Sequence, residues 1–243
     1  MVSSIRKHFE RITAAQAAAD SGDQPMQGDA YQLMQATLFE DYRRLKSVQS
    51  IERKVEIKRE ILPNYADYIA GVLEAGQGAQ DEVLMTIMLW RIDVGDLAGA
   101  MEIGSYALRH DLTPPDRFAR STAAIIAEEI GEQALKQLDD QPDLEALLDV
   151  LVNAEALTRD ADMHDQIRAK LFKAYGYALR AAGQLEAAKA NLERALELNE
   201  RIGVKKDLEQ IERELKAQAE AEKKAEAEAK AEANPTNNDQ PTG

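Results

Sequence analysis

The chain carries its apolar residues at three- and four-residue spacing, the period of a helix with one buried face. Leu38, Tyr42, Leu45, Val48, Ile51 and Val55 form one such stripe. It predicts a single long helix that is capped at Asp29 and runs to about Leu62. Pro63 ends it, because the residue before a proline avoids the helical region. Upstream, residues 1–29 begin basic, turn alanine-rich and become polar through DSGDQPMQGD, which predicts a short helix and then a flexible connector. Downstream, Tyr65, Tyr68, Ile69, Val72 and Leu73 make a helical face that stops at the GQG of residues 76–78, since glycine leaves a helix at little steric cost. Leu84, Ile87 and Met88 share the next face. Leu97, Ala100, Met101, Gly104 and Leu108 share another, after a turn centred on Gly95 and Asp96. The adjacent prolines of HDLTPPDRF (110–118) cannot continue a helix and predict a surface loop. Further helices are predicted around Ile126, Ile130 and Ala134 and, after Pro142, around Leu144, Leu147, Leu148 and Leu151. Residues 166–199 read as a hairpin turning at Gly183. Val204, Leu208, Ile211 and Leu215 form a narrow seam suited to a partner helix. Beyond Leu215 the stripe is lost in KAQAEAEKKAEAEAKAEA, and NPTNNDQPTG (234–243) reads as a disordered tail.

Composition supports an all-α fold of helical hairpins with a long N-terminal helix and a C-terminal helical arm. Good helix formers dominate, and glycine and proline are few. With 44 % hydrophobic residues the 243-residue chain can build a core, although only 5 % are aromatic. The absence of cysteine removes disulfides, thiolate zinc sites and a cysteine nucleophile together. Neither a signal peptide nor a membrane-spanning run is legible, so a soluble intracellular protein, without a membrane partner, is expected. The net charge of −14 is unevenly spread: residues 1–62 sum to +1, residues 63–203 to −12 and residues 204–243 to −3. An acidic body repels nucleic acid, so any such contact is expected in the N-terminal third. The organisation expected is a basic N-terminal arm and long helix (1–62), an acidic helical body (63–203), a helical arm (204–233) and the tail (234–243).

Two hairpins repeat one spacing. Gly95, Leu97, Ala100, Ala107 and Leu108 are matched 88 residues later by Gly183, Leu185, Ala188, Ala195 and Leu196. This pattern resembles the second half of a tetratricopeptide repeat, in which glycine makes the turn and alanines sit where helices approach closely. The offset is not a multiple of that repeat's length, so a regular array is not expected. The 121–158 helices are expected to fill the space between the hairpins.

Candidate chemistry is sparse. Asp93 and Asp96 flank a turn, and Glu128 and Glu129 add carboxylates, so a magnesium-dependent nuclease site is formally available. Acidic residues at helix ends more often cap and offset the helix dipole, and that role is preferred. His8, His110 and His164 are not spaced as metal ligands, and the HD pairs at 110–111 and 164–165 read as loop polarity. No phosphate-cradling glycine loop occurs. Neither a catalytic residue, a metal site nor a cofactor is therefore assigned, and Trp90 is placed in the core. The stronger signal is YRRLKSVQSIERKVEIKRE (42–60), which is +4 in a chain of −14. Arg43, Arg44, Lys46, Arg53, Lys54, Lys58 and Arg59 are candidate DNA contacts, with Arg6, Lys7 and Arg11 as a mobile arm. The bland alternative is a solvated helix with internal ion pairs. If five of those seven met phosphates, log K against log salt would fall with a slope of about −4.5.

Residues 71–115, GVLEAGQGAQDEVLMTIMLWRIDVGDLAGAMEIGSYALRHDLTPP, resemble the small terminase subunit of temperate tailed phages of the peduovirus type. The likeness extends through KREILPNYADYIAGVLE, ADMHDQIRAKL and ERALELNERIGVKKDLEQIERELK, over roughly residues 30–216. The resemblance implies a DNA-packaging protein that recognises the cohesive-end site of phage DNA, assembles as a homo-oligomer and hands the DNA to a large subunit carrying the ATPase and nuclease. The family is also commonly labelled an endonuclease subunit, which keeps cutting by this chain as an alternative. Some members end in a basic tail; the acidic tail here moves the expected DNA contact to the N-terminal third. A third reading is a tetratricopeptide-like adaptor that binds protein and never touches DNA.

Overall fold

The computed structural model describes residues 4–115, 120–140 and 142–232. The expected tail at 234–243 lies outside them, as do residues 116–119. The described residues form helices and connections, without a strand.

α5 (Glu82–Val94) is the centre of the molecule. Val83 to Met88, Trp90 and Ile92 are all buried, so the helix is enclosed nearly all round rather than on the one face predicted. Around it stand α2 (Asp29–Lys46), α3 (Ile51–Ile61), the 3-10 turn Leu62–Tyr65, α6 (Leu97–Arg109) and α7 (Thr122–Leu138). Asp81 caps α5 by accepting a hydrogen bond from the Leu84 amide at 2.9 Å. Its second oxygen accepts the Tyr68 hydroxyl at 2.7 Å, which ties in α4 (Ala66–Ala75).

The single helix expected over 29–62 is two helices. α2 ends at Lys46, and α3 starts after Ser50, whose hydroxyl accepts the Arg53 amide at 3.3 Å. Serines at 47 and 50 bond to nearby backbone in competition with the helical ladder, which breaks the run that the apolar spacing suggested.

The expected flexible connector and mobile arm are also corrected. α1 (Ser4–Ser21) lies along α4, and a methyl group on Gly71 would collide with the Arg11 carbonyl and the Ala14 side chain. Met26, in the connector, is buried, and its amide donates to the Gln80 carbonyl at 2.9 Å.

The two repeated hairpins share one turn. Gly95 and Gly183 take φ of 86° and 75°, the left-handed region that favours glycine. The amide after each glycine reaches back to the carbonyl five residues earlier, Asp96 to Arg91 and Gln184 to Leu179, both at 2.9 Å. Ala100, Ala107, Ala188 and Ala195 are buried at the close approaches. α7 and α8 (Leu144–Thr158) stand between the hairpins as expected. α7 packs on α5 and α6 and on α9 (Asp165–Ala181), and α8 packs on α6 and α9.

Val204, just before α11 (Lys205–Glu232), and Leu208 and Ile211 in its first turns pack on α10 (Leu185–Leu198) within the same chain. The seam predicted for a partner helix is therefore used internally. From Lys216 to Glu226 the helix surface is exposed.

Candidate nucleic-acid interface

The basic stretch folds as the end of α2, a four-residue turn and α3. Leu45, Ile57 and Ile61 are buried, and Val48 in the turn packs against the same core. Tyr42 and Tyr65 meet the Trp90 ring edge-on at 5.4 and 6.2 Å, and the Tyr65 hydroxyl donates to Asp41 at 2.7 Å. Trp90 is thus a core residue, and these contacts hold α2 against α5. The turn is fixed by the Ser47 amide on the Arg43 carbonyl at 3.1 Å and the Ser47 hydroxyl on the Arg44 carbonyl at 2.7 Å.

This frame sorts the seven candidate cations. Arg43 pairs with Glu40 at 3.1 Å and Arg53 with Glu56 at 2.6 Å, each within its own helix and exposed. Arg44 pairs with Glu60, which joins α2 to α3. Lys58 pairs with Asp93, its side chain only 15 % exposed, and Arg59 donates to the Val94 carbonyl at 3.3 Å; both tie α3 to the end of α5. Lys46 and Lys54 make no ion pair among the described residues. Exposed pairs contribute about 0–1 kcal/mol, so Arg43 and Arg53 can exchange their carboxylates for phosphates at little cost. Lys58, Arg59 and Arg44 are structural ties first.

Of the expected arm, Arg11 pairs with Glu74 of α4 at 2.8 Å and Lys7 lies exposed on α1. The Arg6 side chain lies outside those described. The structure does not bring Lys7 or Arg11 to the α2–α3 turn by any contact of their own.

The acidic candidates are engaged in structure. Asp96 caps α6 through the Gly99 amide at 3.0 Å and faces Arg91 at 3.6 Å, while Asp93 holds Lys58. Glu128 takes Arg120 and Lys170, the latter at 2.6 Å; Glu129 takes Arg120 at 2.9 Å and Glu132 takes Lys170 at 2.6 Å. Burial alone would raise the Glu128 carboxyl, but hydrogen bonds from Lys170 and Arg120 bring it below its usual range. The His110 ring packs on Tyr106 at 4.6 Å and occupies the space a side chain on Gly78 would need, so it is a packing residue rather than loop polarity. Among the described residues no three His, Asp or Glu side chains converge as metal ligands would.

Two residues were misread or missed in the sequence. Ile51 was assigned to the apolar stripe, yet it is 79 % exposed at the first position of α3. Ser50 followed by Glu52 was the available signal of a helix start there. Asp81, fully buried, was not singled out; its place just before the apolar run of α5 marks it as a cap.

A family model described as phage small terminase subunit matches residues 35–166. The chain is 41 % identical over 220 residues to the terminase endonuclease subunit of Escherichia phage P2, an alignment covering 90 % of this chain and 88 % of that protein. No solved structure matches it. The matched segment contains α3 to α8 whole and most of α2, so it spans both the basic turn and the central helix. With a family match over more than half its length and a relative aligned from end to near end, the chain belongs to the phage small terminase subunit family.

Proposed function

We infer that this chain recognises the cohesive-end packaging site of its phage genome, acts as a homo-oligomer in the host cytoplasm and delivers the DNA to the large terminase subunit. The observation that carries the DNA-binding part is the α2–α3 turn. There Lys46 and Lys54 have no carboxylate partner among the described residues, and Arg43 and Arg53 pair with exposed, exchangeable ones. The uneven charge supports the same placement, since residues 63–203 sum to −12 and would repel DNA.

With those four cations as the phosphate contacts, the slope of log K against log salt is expected at about −3.6. The five-contact figure falls because Arg44, Lys58 and Arg59 hold α2, α3 and α5 together. The test is fluorescence anisotropy of a duplex carrying the phage genome end, with full-length protein across a salt series. Lys46→Ala with Lys54→Ala should flatten the slope by about 1.8. A slope near zero for the unaltered chain overturns the assignment.

The name of the P2 relative, an endonuclease subunit, favours a second reading, in which the subunit itself cuts DNA. It predicts magnesium-dependent cleavage that Asp93→Ala or Asp96→Ala abolishes. The engagement of Asp93 with Lys58 and of Asp96 in the α6 cap weighs toward the recognition reading. The adaptor reading would leave partner binding intact when the four turn cations are replaced and would show no DNA binding at all.

A further inference from the structure

Ile51 is the most exposed large hydrophobic side chain among the described residues, at 79 %. Water contact over an isoleucine side chain forgoes on the order of 2 kcal/mol of burial free energy, and helix starts ordinarily carry polar residues. No described residue covers it. Ile51 is also fixed in place: Ser50 caps the helix it begins, the Lys54 amide bonds the Ser50 carbonyl at 3.1 Å, and Val48 anchors the turn. Cations lie close to it in the chain, beside Glu52 of the same turn. Lys54, three residues on, shares its side of α3, and Lys46 closes the helix before it. On α2, Phe39 is 62 % exposed and shares a face with Arg43 and Lys46 by helical spacing. A fixed apolar tip beside two lysines that have no ion pair among the described residues, and an arginine with only an exposed one, complements a groove of duplex DNA, where phosphates flank apolar base substituents.

Resting on the DNA-binding reading above, we propose that Ile51 enters the major groove and reads thymine through its C5-methyl group, while Lys46 and Lys54 hold the flanking phosphates. The class of target is a thymine methyl, the apolar substituent that the major groove displays. First-turn positions of a helix are those that reach base edges when the helix end is presented to the groove. Ile51 would therefore supply sequence preference without charge, and the lysines affinity without preference.

The test uses the full-length protein. Sequences retained from a randomised duplex pool are compared for the unaltered chain, Ile51→Ala and Ile51→Val. A preferred thymine is then replaced by deoxyuridine, which removes only the methyl group. The expected result is a thymine preference lost in Ile51→Ala and kept in Ile51→Val. Deoxyuridine should weaken the unaltered chain roughly fourfold, as for one buried methyl group, and leave Ile51→Ala unchanged. The salt slope should be the same for all three proteins. An unchanged sequence preference in Ile51→Ala overturns the proposal but leaves DNA binding standing. So does a change in sedimentation mass without a change in preference, since Ile51 would then meet a second copy. Failure of the unaltered chain to retain any duplex overturns the DNA-binding reading itself.

Discussion

Asp81 shows how much one side chain decides. It sits in an apolar interior, where desolvation pushes its carboxyl up to about 6 against the bonds from Leu84, Tyr68 and Val83 that favour the anion. Burial likewise raises the Tyr68 hydroxyl, and the adjacent carboxylate adds to the effect. Because its folded pKa exceeds the unfolded value of about 3.9, the native state binds the proton more tightly. Asp81's contribution is therefore most favourable below about pH 4, declines as pH rises toward 6, and is flat above that. A rise from about 3.9 to about 6 corresponds to on the order of 3 kcal/mol. Asp81→Asn keeps the cap and removes the charge, so urea unfolding should show the difference between it and the unaltered chain changing by about that amount between pH 4 and 7. A constant difference would mean that burial does not raise the Asp81 carboxyl. Asp81→Ala also removes the cap, at about 1 kcal/mol or more, and orphans the Tyr68 hydroxyl.

At the scale of elements, glycine sets how closely helices meet. In α9 a methyl group on Gly176 would come within 2.7 Å of the Leu192 side chain and 3.2 Å of the Ala188 carbonyl in α10. Gly176→Ala should therefore destabilise the α9–α10–α11 packing by about 1–3 kcal/mol. Hydrogen exchange should speed up in residues 166–215 and change little in the α5–α6 hairpin, which has its own turn and core. Equal acceleration in both hairpins would mean they unfold as one unit. The helices themselves were legible as apolar stripes, and the hairpin turns as glycines. The α2–α3 break was not legible from periodicity, because Val48 and Ile51 keep the three-residue rhythm while only Val48 is drawn into the core. A stripe reports spacing; it does not report which of its members finds a neighbour.

Across the whole molecule, the first 62 residues are not a detachable DNA-binding arm. Ala14, Met34, Leu38, Leu45, Ile57 and Ile61 belong to the same core as α5, so removing residues 1–62 exposes the central helix. Residues 63–243 alone should lose the cooperative thermal transition of the full chain. A melt with unchanged midpoint would show that the body folds independently. The described side chains beyond Lys216, at positions 217–226, are all exposed, so removing residues from 217 onward should move the midpoint by no more than about 1–2 °C. The expected division into arm, body and C-terminal arm thus describes charge along the chain, whereas packing crosses its first boundary at α1–α4 and α3–α5.

The sequence by itself determined the all-α class, the positions of most helices, the two glycine turns and the concentration of positive charge in residues 42–60. These are local properties: helical period, the steric freedom of glycine and the identity of charged residues. The tertiary structure alone decided which cations are committed. The same seven side chains divide into ties to Glu60, Asp93 and Val94, exchangeable pairs, and two lysines without an ion pair among the described residues only once α2, α3 and α5 are brought together. It also decided that Asp93 pairs with Lys58 and that Ile51 faces water, whereas the Asp96 cap is local and was already the preferred sequence reading. A carboxylate or an isoleucine carries no sequence mark of its neighbour 35 residues away, because burial and pairing are properties of the assembled helices.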